Sequence, residues 1–464
     1  MKRESISTLA LVLLISGAID SLRNLPATAL FGSSLLFFLV FAAIVFLIPV
    51  ALVSAQLGSY QMENTGVYGW VKAAFGEKIG FLAIWLQWIN TMVWYPTILS
   101  FIAGTLAYLI NPQLAHSKIY LVSVILITFW LLTLLNLRGL TFSTKFTTIC
   151  ATVGLIVPVT FVIVFAIIWV FQGKPLQIHL SASHLLPSFH GAQSWVSLTA
   201  IMTAFLGMEL ASVHAKSVKN PQKVFPKALM ISVVFILITM AGGALAIALV
   251  LPKSQIELVD GLMQVFRSFF VAYHVKWLTP VLAVLILLGS AGGMINWIIS
   301  PAKGLLQAGN TGYLPKFITK ENKHGVASRL LIAQAILVSF VSLAFLLMPG
   351  VNGSYWLLTD LSTQVYMFMY LLLFFASLVL FARFGKVAEG KGFSIPGGKW
   401  GTWLVTVLGL IGCVITMIVG FFPPASIDVG GIAHYEMLFV GGMIVMVLPV
   451  FGFFFYKHVH LAKN

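Results

Sequence analysis

Long apolar stretches, separated by short polar segments, follow one another along almost the whole chain. A transmembrane helix needs about 20 mostly apolar residues to cross the hydrocarbon core of a bilayer. The pattern therefore predicts an all-α integral membrane protein with 12 transmembrane helices, several of them long enough to be tilted or broken. In chain order, spans 1 to 12 are 6–31, 34–58, 78–110, 118–136, 144–172, 193–215, 226–252, 273–306, 328–348, 354–383, 400–422 and 434–457.

A polar segment interrupts span 1, where Asp20 and Arg23 lie three residues apart between Gly17 and Pro26. An ionisable side chain in the middle of a bilayer is costly unless it faces the protein interior or a watery cavity. Gly and Pro also loosen the helical backbone and free polar groups that lipid cannot satisfy. The segment predicts a broken helix that lines a solute site. An internal ion pair between Asp20 and Arg23 is the alternative.

Span 6 carries a second carboxylate, Glu209, two residues after Gly207. Spans 1 and 6 would be the first helices of two five-helix halves, and interrupted helices at matching places of two inverted repeats point to a binding site between them. The alternative for Glu209 is a buried, protonated residue that packs between helices. Asp360 in span 10 is the third intramembrane carboxylate. Its two alternative roles are to line the vestibule or to make a structural hydrogen bond.

Two further spans carry features of a solute path. In span 3, Gln87 and Asn90 lie among tryptophans that include Trp94, which predicts that one face of the helix meets a cavity. In span 8, residues 289–293 are small and permit close helix approach. Trp297 follows them, as either a pathway residue or a packing residue.

Composition and charge agree with a membrane protein. Hydrophobic residues make up 60% of the 464 positions and charged residues 8%, whereas a soluble domain has about 25% charged residues. With the N-terminus inside, 21 of the 27 Lys and Arg fall on the inner side, 5 fall outside and one is intramembrane. This asymmetry places both termini in the cytoplasm. It also accounts for the net charge of +15 without a nucleic-acid partner.

The remaining chemistry argues against an enzyme. Cys150 and Cys413 lie inside apolar spans, and the histidines of the outer loop, His179, His184 and His190, lack the spacing of a metal site. The sequence contains neither a Walker motif nor a soluble domain. We therefore expect no catalytic residues, no metal and no cofactor, and transport that is not powered by ATP. A channel would need a filter-like ring, and a receptor would need a sensory domain.

Several motifs resemble the amino acid–polyamine–organocation superfamily, and most of all the bacterial glutamate/γ-aminobutyrate antiporter family, over nearly the whole chain. The most specific of them is Phe-Ser-Ile-Pro-Gly-Gly-Lys at 393–399, followed by Phe-Phe-Pro-Pro at 421–424. The supporting segments are 66–71, 207–209, 220–221, 225–226, 297–304 and 322–326.

The resemblance implies a leucine-transporter-type fold with two inverted five-helix repeats, at 1–172 and 173–383, and two extra helices at 384–464. It implies a multi-pass transporter of the bacterial inner membrane that exchanges amino acids by alternating access, with substrate between the unwound centres of spans 1 and 6. The expected substrate-binding residues are Ser16, Gly17, Ala18, Asp20, Arg23, Asn24, Gly207, Met208, Glu209 and Trp297.

Within that set we expect Ser16, Gly17, Ala18, Gly207 and Met208 to form the unwound backbone that binds the zwitterion. Glu209 and Asp20 are gating or proton-linked candidates. Trp297 forms an aromatic wall, and Arg23 is a second anchor for an anion.

The chain departs from the family pattern in span 1. Where the acid-resistance antiporter of this family has Tyr-Glu-Tyr-Pro, this chain has Arg23-Asn24-Leu25-Pro26. The site becomes more positive, so we expect neutral and acidic amino acids to be favoured over arginine, lysine and polyamines, with Asp20 as the neutralising partner of Arg23. The rival is a proton-coupled amino acid or amine uptake carrier of the same fold. The expected partners are an amino acid substrate, membrane lipid and protons.

Overall fold

The computed structural model of the chain is helical throughout the part it describes. It describes residues 8–59, 66–138, 144–179, 181–187, 195–217, 220–309, 311–388 and 393–461. The α-helices of the first part are α1 (Thr8–Ile19), α2 (Leu25–Ala29), α3 (Leu35–Ala42), α4 (Ile48–Ser59), α5 (Val67–Phe75), α6 (Glu77–Ile110), α7 (Lys118–Leu137) and α8 (Thr144–Phe171). Short 3-10 or π segments connect some of them, at Leu22–Asn24, Gly32–Ser34, Ala43–Leu47 and Pro112–His116.

The second part of the chain continues the same pattern. Its α-helices are α9 (Ala182–Leu185), α10 (Leu198–Ala204), α11 (Pro221–Val250), α12 (Gly261–Ala272), α13 (Leu278–Gly309), α14 (Lys316–Thr319), α15 (Ser328–Ser342), α16 (Ala344–Leu347), α17 (Val351–Ala388), α18 (Gly398–Val419), α19 (Ile432–Val447) and α20 (Pro449–Leu461). Its 3-10 segments are Met208–Ser217 and Lys253–Gln255.

Ten helical segments of the described chain are long and apolar enough to cross a membrane. They coincide with ten of the twelve predicted spans, which confirms the prediction of an all-helical membrane protein. The two predicted spans that are absent from this set are spans 1 and 6, because each is broken into shorter helices. The total of twelve crossings and the inverted repeats stay predictions.

The core of the bundle forms around α6. This helix contacts α5, α7, α13 and α17, and most of its residues are buried. α8 and α13 approach each other closely at Gly154 and Gly289, where a Cβ added to Gly289 would lie 2.5 Å from the Gly154 Cα. The small residues of span 8 therefore allow the backbone contact that the sequence predicts.

Candidate functional site

The break in span 1 lies at Asp20 and Ser21, between α1 and the 3-10 turn that leads into α2. The Asp20 amide still donates to the Ser16 carbonyl at 2.8 Å, and Ser21 is extended, with φ −138° and ψ 123°. Pro26 lies in the first turn of α2, where its missing N–H would have no partner within the helix. The extended residue is Ser21, and the 3-10 turn Leu22–Asn24 lies between it and α2.

The prediction that Ser16, Gly17 and Ala18 are unwound was wrong, because all three lie in the last turns of α1. A glycine inside a helix costs only about 1 kcal/mol relative to alanine, and the packing of α1 against α11 outweighs that cost. The Ser16 hydroxyl is buried without a hydrogen-bond partner among the described residues. The last turn of α1 also ends with carbonyls that have no partner within the helix.

The break in span 6 lies at residues 205–207, between α10 and the 3-10 segment Met208–Ser217. Gly207 has φ +102°, a conformation that L side chains rarely adopt. A Cβ added there would lie 3.8 Å from the Ile19 Cγ1. The end of α1 and the break in span 6 therefore face each other.

Glu209 joins the break in span 6 to two long helices. Its carboxylate accepts hydrogen bonds from Tyr366 at 2.6 Å, from Gln87 at 3.1 Å and from Tyr370. The Tyr370 hydroxyl in turn accepts the Gly207 amide at 2.9 Å. All three neighbours donate, an arrangement that suits a carboxylate as acceptor. Glu209 is thus the hydrogen-bonded centre of the second half of span 6, after the break.

Asp20 and Arg23 point to different helices. Asp20 accepts a hydrogen bond from Thr239 of α11 at 2.5 Å. Arg23 donates from Nη1 to Thr97 of α6 at 2.7 Å, and its guanidinium lies 5.3 Å from the centre of the Trp94 ring. Among the described residues, Lys72 and Lys457 pair with Glu77, and the His116 ring lies 4.0 Å from the Glu257 carboxylate, so Asp20 and Arg23 do not form an ion pair.

The prediction that Asp20 neutralises Arg23 was therefore wrong. The extended backbone at Ser21 turns the two side chains apart, although they are only three residues from each other in sequence. Arg23 is 2% exposed, and its Nε has no hydrogen-bond partner among the described residues. A buried charge without a counter-ion is costly. The guanidinium is therefore suited to an anionic group of a ligand.

Aromatic rings extend the surroundings of Arg23 towards span 8. The Trp94 and Trp297 ring centres are 5.1 Å apart, and the Tyr95 hydroxyl donates to the Trp297 carbonyl at 2.8 Å. Trp297 is half-buried. Asn24, next to Arg23 in the 3-10 turn, is buried.

Asp360 lies in a separate network between α17, α18 and α19. It accepts hydrogen bonds from Tyr435 and from Gln364 at 3.0 Å, and Gln364 also donates to the Thr416 carbonyl at 3.0 Å. These contacts favour the structural alternative for Asp360. His190 lies outside the described residues.

Sequence reasoning missed five residues that form hydrogen bonds with the predicted site residues. Thr97 and Thr239 gave no signal, because threonine is common in apolar helices. Tyr366 and Tyr370 are four residues apart on one face of α17, and that spacing was a usable signal. The fifth, Tyr355, donates its hydroxyl to the Arg23 carbonyl at 3.1 Å.

Comparison with known proteins matches residues 6–449 to the model of the amino acid permease family. An uncharacterized transporter of Legionella pneumophila is 40% identical over 96% of this chain and 95% of its own length. A glutamate/γ-aminobutyrate antiporter of Lactococcus lactis is 28% identical over 97% of this chain and 90% of its own length. A probable agmatine/putrescine antiporter of the same species is 22% identical over 96% of this chain and 94% of its own length.

Proposed function

The chain belongs to the amino acid permease family, and we propose that it is a secondary active antiporter that exchanges neutral or acidic amino acids by alternating access. It is a multi-pass membrane transporter rather than an enzyme. We further propose the inverted repeats 1–172 and 173–383, the extra helices in 384–464, and cytoplasmic termini. The glutamate/γ-aminobutyrate antiporters among its relatives support exchange as the mode of transport.

The facing breaks of spans 1 and 6 are the observation that carries this proposal. Ile19 ends α1 beside Gly207, so two interrupted helices meet inside the bundle. Helix carbonyls that lose their partners bear partial negative charge and suit a substrate ammonium. The Gly207 amide is engaged by Tyr370, and Arg23 serves as a second anchor, a donor for the side-chain carboxylate of an acidic substrate.

Arg23 also supports the proposed choice of substrate. A second positive charge about 6 Å from an unpaired guanidinium is disfavoured by about 3 kcal/mol at an effective dielectric constant of about 20. The same charge stabilises an acidic side chain. Arginine, lysine and polyamines are therefore disfavoured, and neutral and acidic amino acids are accepted.

The second candidate function is proton-coupled uptake of an amino acid or an amine. The similarity to a probable agmatine/putrescine antiporter favours an amine as substrate. The uncompensated charge of Arg23 argues against amines. In a proton-coupled carrier, Glu209 or Asp20 would carry the proton.

The test is an exchange screen in proteoliposomes across the common amino acids and their decarboxylated amines, with thermal-shift assays in parallel. We expect exchange of neutral and acidic amino acids, and Arg23→Ala should weaken acidic substrates most. Arg138→Ala, which changes an exposed arginine, is the control and should leave the substrate profile unchanged. Efficient exchange of lysine or agmatine by the unmodified protein would overturn the proposed selectivity.

A further inference from the structure

The guanidinium of Arg23 contacts two neutral residues of α6, and the Tyr355 hydroxyl of α17 also lies close to it. Thr97 accepts from Nη1, and the Trp94 ring lies 5.3 Å from the guanidinium carbon. These two residues are three apart in α6, so their side chains lie on the same face of the helix. The contacts hold one end of a side chain that begins in the break of span 1.

The Thr97 hydroxyl acts as an acceptor, not a donor, in its contact with Arg23. Its single hydroxyl proton is donated to the Trp94 carbonyl at 2.7 Å, which leaves the oxygen lone pairs to accept from Arg23. Thr97 is fully buried, so water does not compete for this contact. The hydroxyl thus orients the guanidinium without cancelling its charge.

Because Thr97 is neutral, it does not cancel the charge of Arg23 as a carboxylate would. The charge of Arg23 stays available, and its Nε has no hydrogen-bond partner among the described residues. We infer that Thr97 and Trp94 are positioning residues, which hold Arg23 so that its unpartnered Nε–H receives the carboxylate of a substrate side chain. The inference rests on the proposed function, because it concerns how that site selects an anionic substrate.

Thr97→Val removes the acceptor while keeping the shape of the side chain. We expect the KM for glutamate exchange to rise about 10-fold, because a charge-assisted hydrogen bond that orients Arg23 is lost. The KM for a neutral amino acid that the protein exchanges should change less than about two-fold, since a neutral side chain has no carboxylate for Arg23 to bind. Thr97→Ser keeps the hydroxyl and should restore the glutamate KM.

Thr91→Val is the matched control. Thr91 is buried in the same helix and donates to the carbonyl three residues earlier, at 2.6 Å, as Thr97 does. No hydrogen bond joins Thr91 to Arg23 in the part of the chain that the structure describes, so both KM values should stay near those of the unmodified protein. A thermal-shift assay with glutamate gives a second readout that does not depend on transport.

Thr97→Asp is the charge test. A carboxylate at this position would pair with Arg23, so we expect glutamate exchange to be lost while exchange of the neutral amino acid persists. Equal KM rises for both substrates in Thr97→Val, or no change in either, would overturn the inference. If Arg23→Ala abolishes glutamate preference and Thr97→Val does not alter it, only the positioning role fails. If the unmodified protein neither binds nor exchanges an acidic amino acid, the proposed substrate class fails, and the inference with it.

Discussion

Asp260 is predicted to make the protein less stable as the pH rises. This residue precedes α12, outside the membrane-spanning helices, and is 2% exposed. Burial raises the pKa of Asp260 from 3.8 to about 6. A hydrogen bond from Tyr108 at 2.9 Å and the nearby His116 oppose the rise in pKa, and Glu257 adds to it.

The direction and size of this pH effect follow from how many protons Asp260 binds in the folded and in the unfolded state. Between about pH 4 and pH 6 the folded protein binds more protons at Asp260 than the unfolded chain does, so stability falls as the pH rises through this window. Below about pH 4 both states are protonated, and the group has no effect. Above about pH 6 the folded protein bears the full cost of the buried charge, about 3 kcal/mol for this difference in pKa.

Asp260→Asn removes the charge and should remove this dependence. The free energy of unfolding in detergent, measured by denaturant titration at pH 4 and pH 7.5, should favour the variant over the unmodified protein by about 2.5 kcal/mol more at the higher pH. Asp428→Asn, which changes an exposed carboxylate, should show no such shift. A difference between Asp260→Asn and the unmodified protein that is the same at both pH values would refute the reasoning.

Two other predictions concern helix contacts. Gly289→Ala should lower the free energy of unfolding by about 1–3 kcal/mol, because its Cβ would lie 2.5 Å from the backbone of Gly154. Gly293→Ala is the control and should be tolerated, because a Cβ there meets nothing within 4 Å. Equal Tm values for the two variants would contradict this prediction. Glu209→Gln should change the pH profile of exchange, and it should also cost about 1–3 kcal/mol of stability because an amide NH2 replaces an oxygen that accepts hydrogen bonds. A profile like that of the unmodified protein, with normal expression, would count against a proton-linked role.

The spans and the existence of the two breaks were predictable because their signals are local. A run of apolar residues must be long enough to cross a bilayer. Ionisable residues such as Asp20 and Arg23 in mid-span, next to Gly17 and Pro26, do not suit a lipid-facing helix. The position of the break was less predictable. Gly17 permits unwinding without requiring it, and its helix continues as far as Ile19 because tertiary packing decides.

The partners of the intramembrane charges were not predictable from nearby residues. Asp20 and Arg23 invite pairing because they are close in sequence, but the direction of each side chain depends on Ser21 and on which helix lies opposite. Thr239 and Thr97 lie far away along the chain. Helix packing brings them to the site, and neither residue type signals a binding role.

The central claim, exchange rather than net transport, is tested most directly by counterflow in proteoliposomes. Labelled glutamate is supplied outside vesicles that contain either unlabelled glutamate or no amino acid, with and without a pH gradient. An obligate antiporter takes up label only into the preloaded vesicles, whatever the pH gradient. Accumulation of label in empty vesicles, driven by an inward proton gradient, would contradict the account and favour proton-coupled uptake.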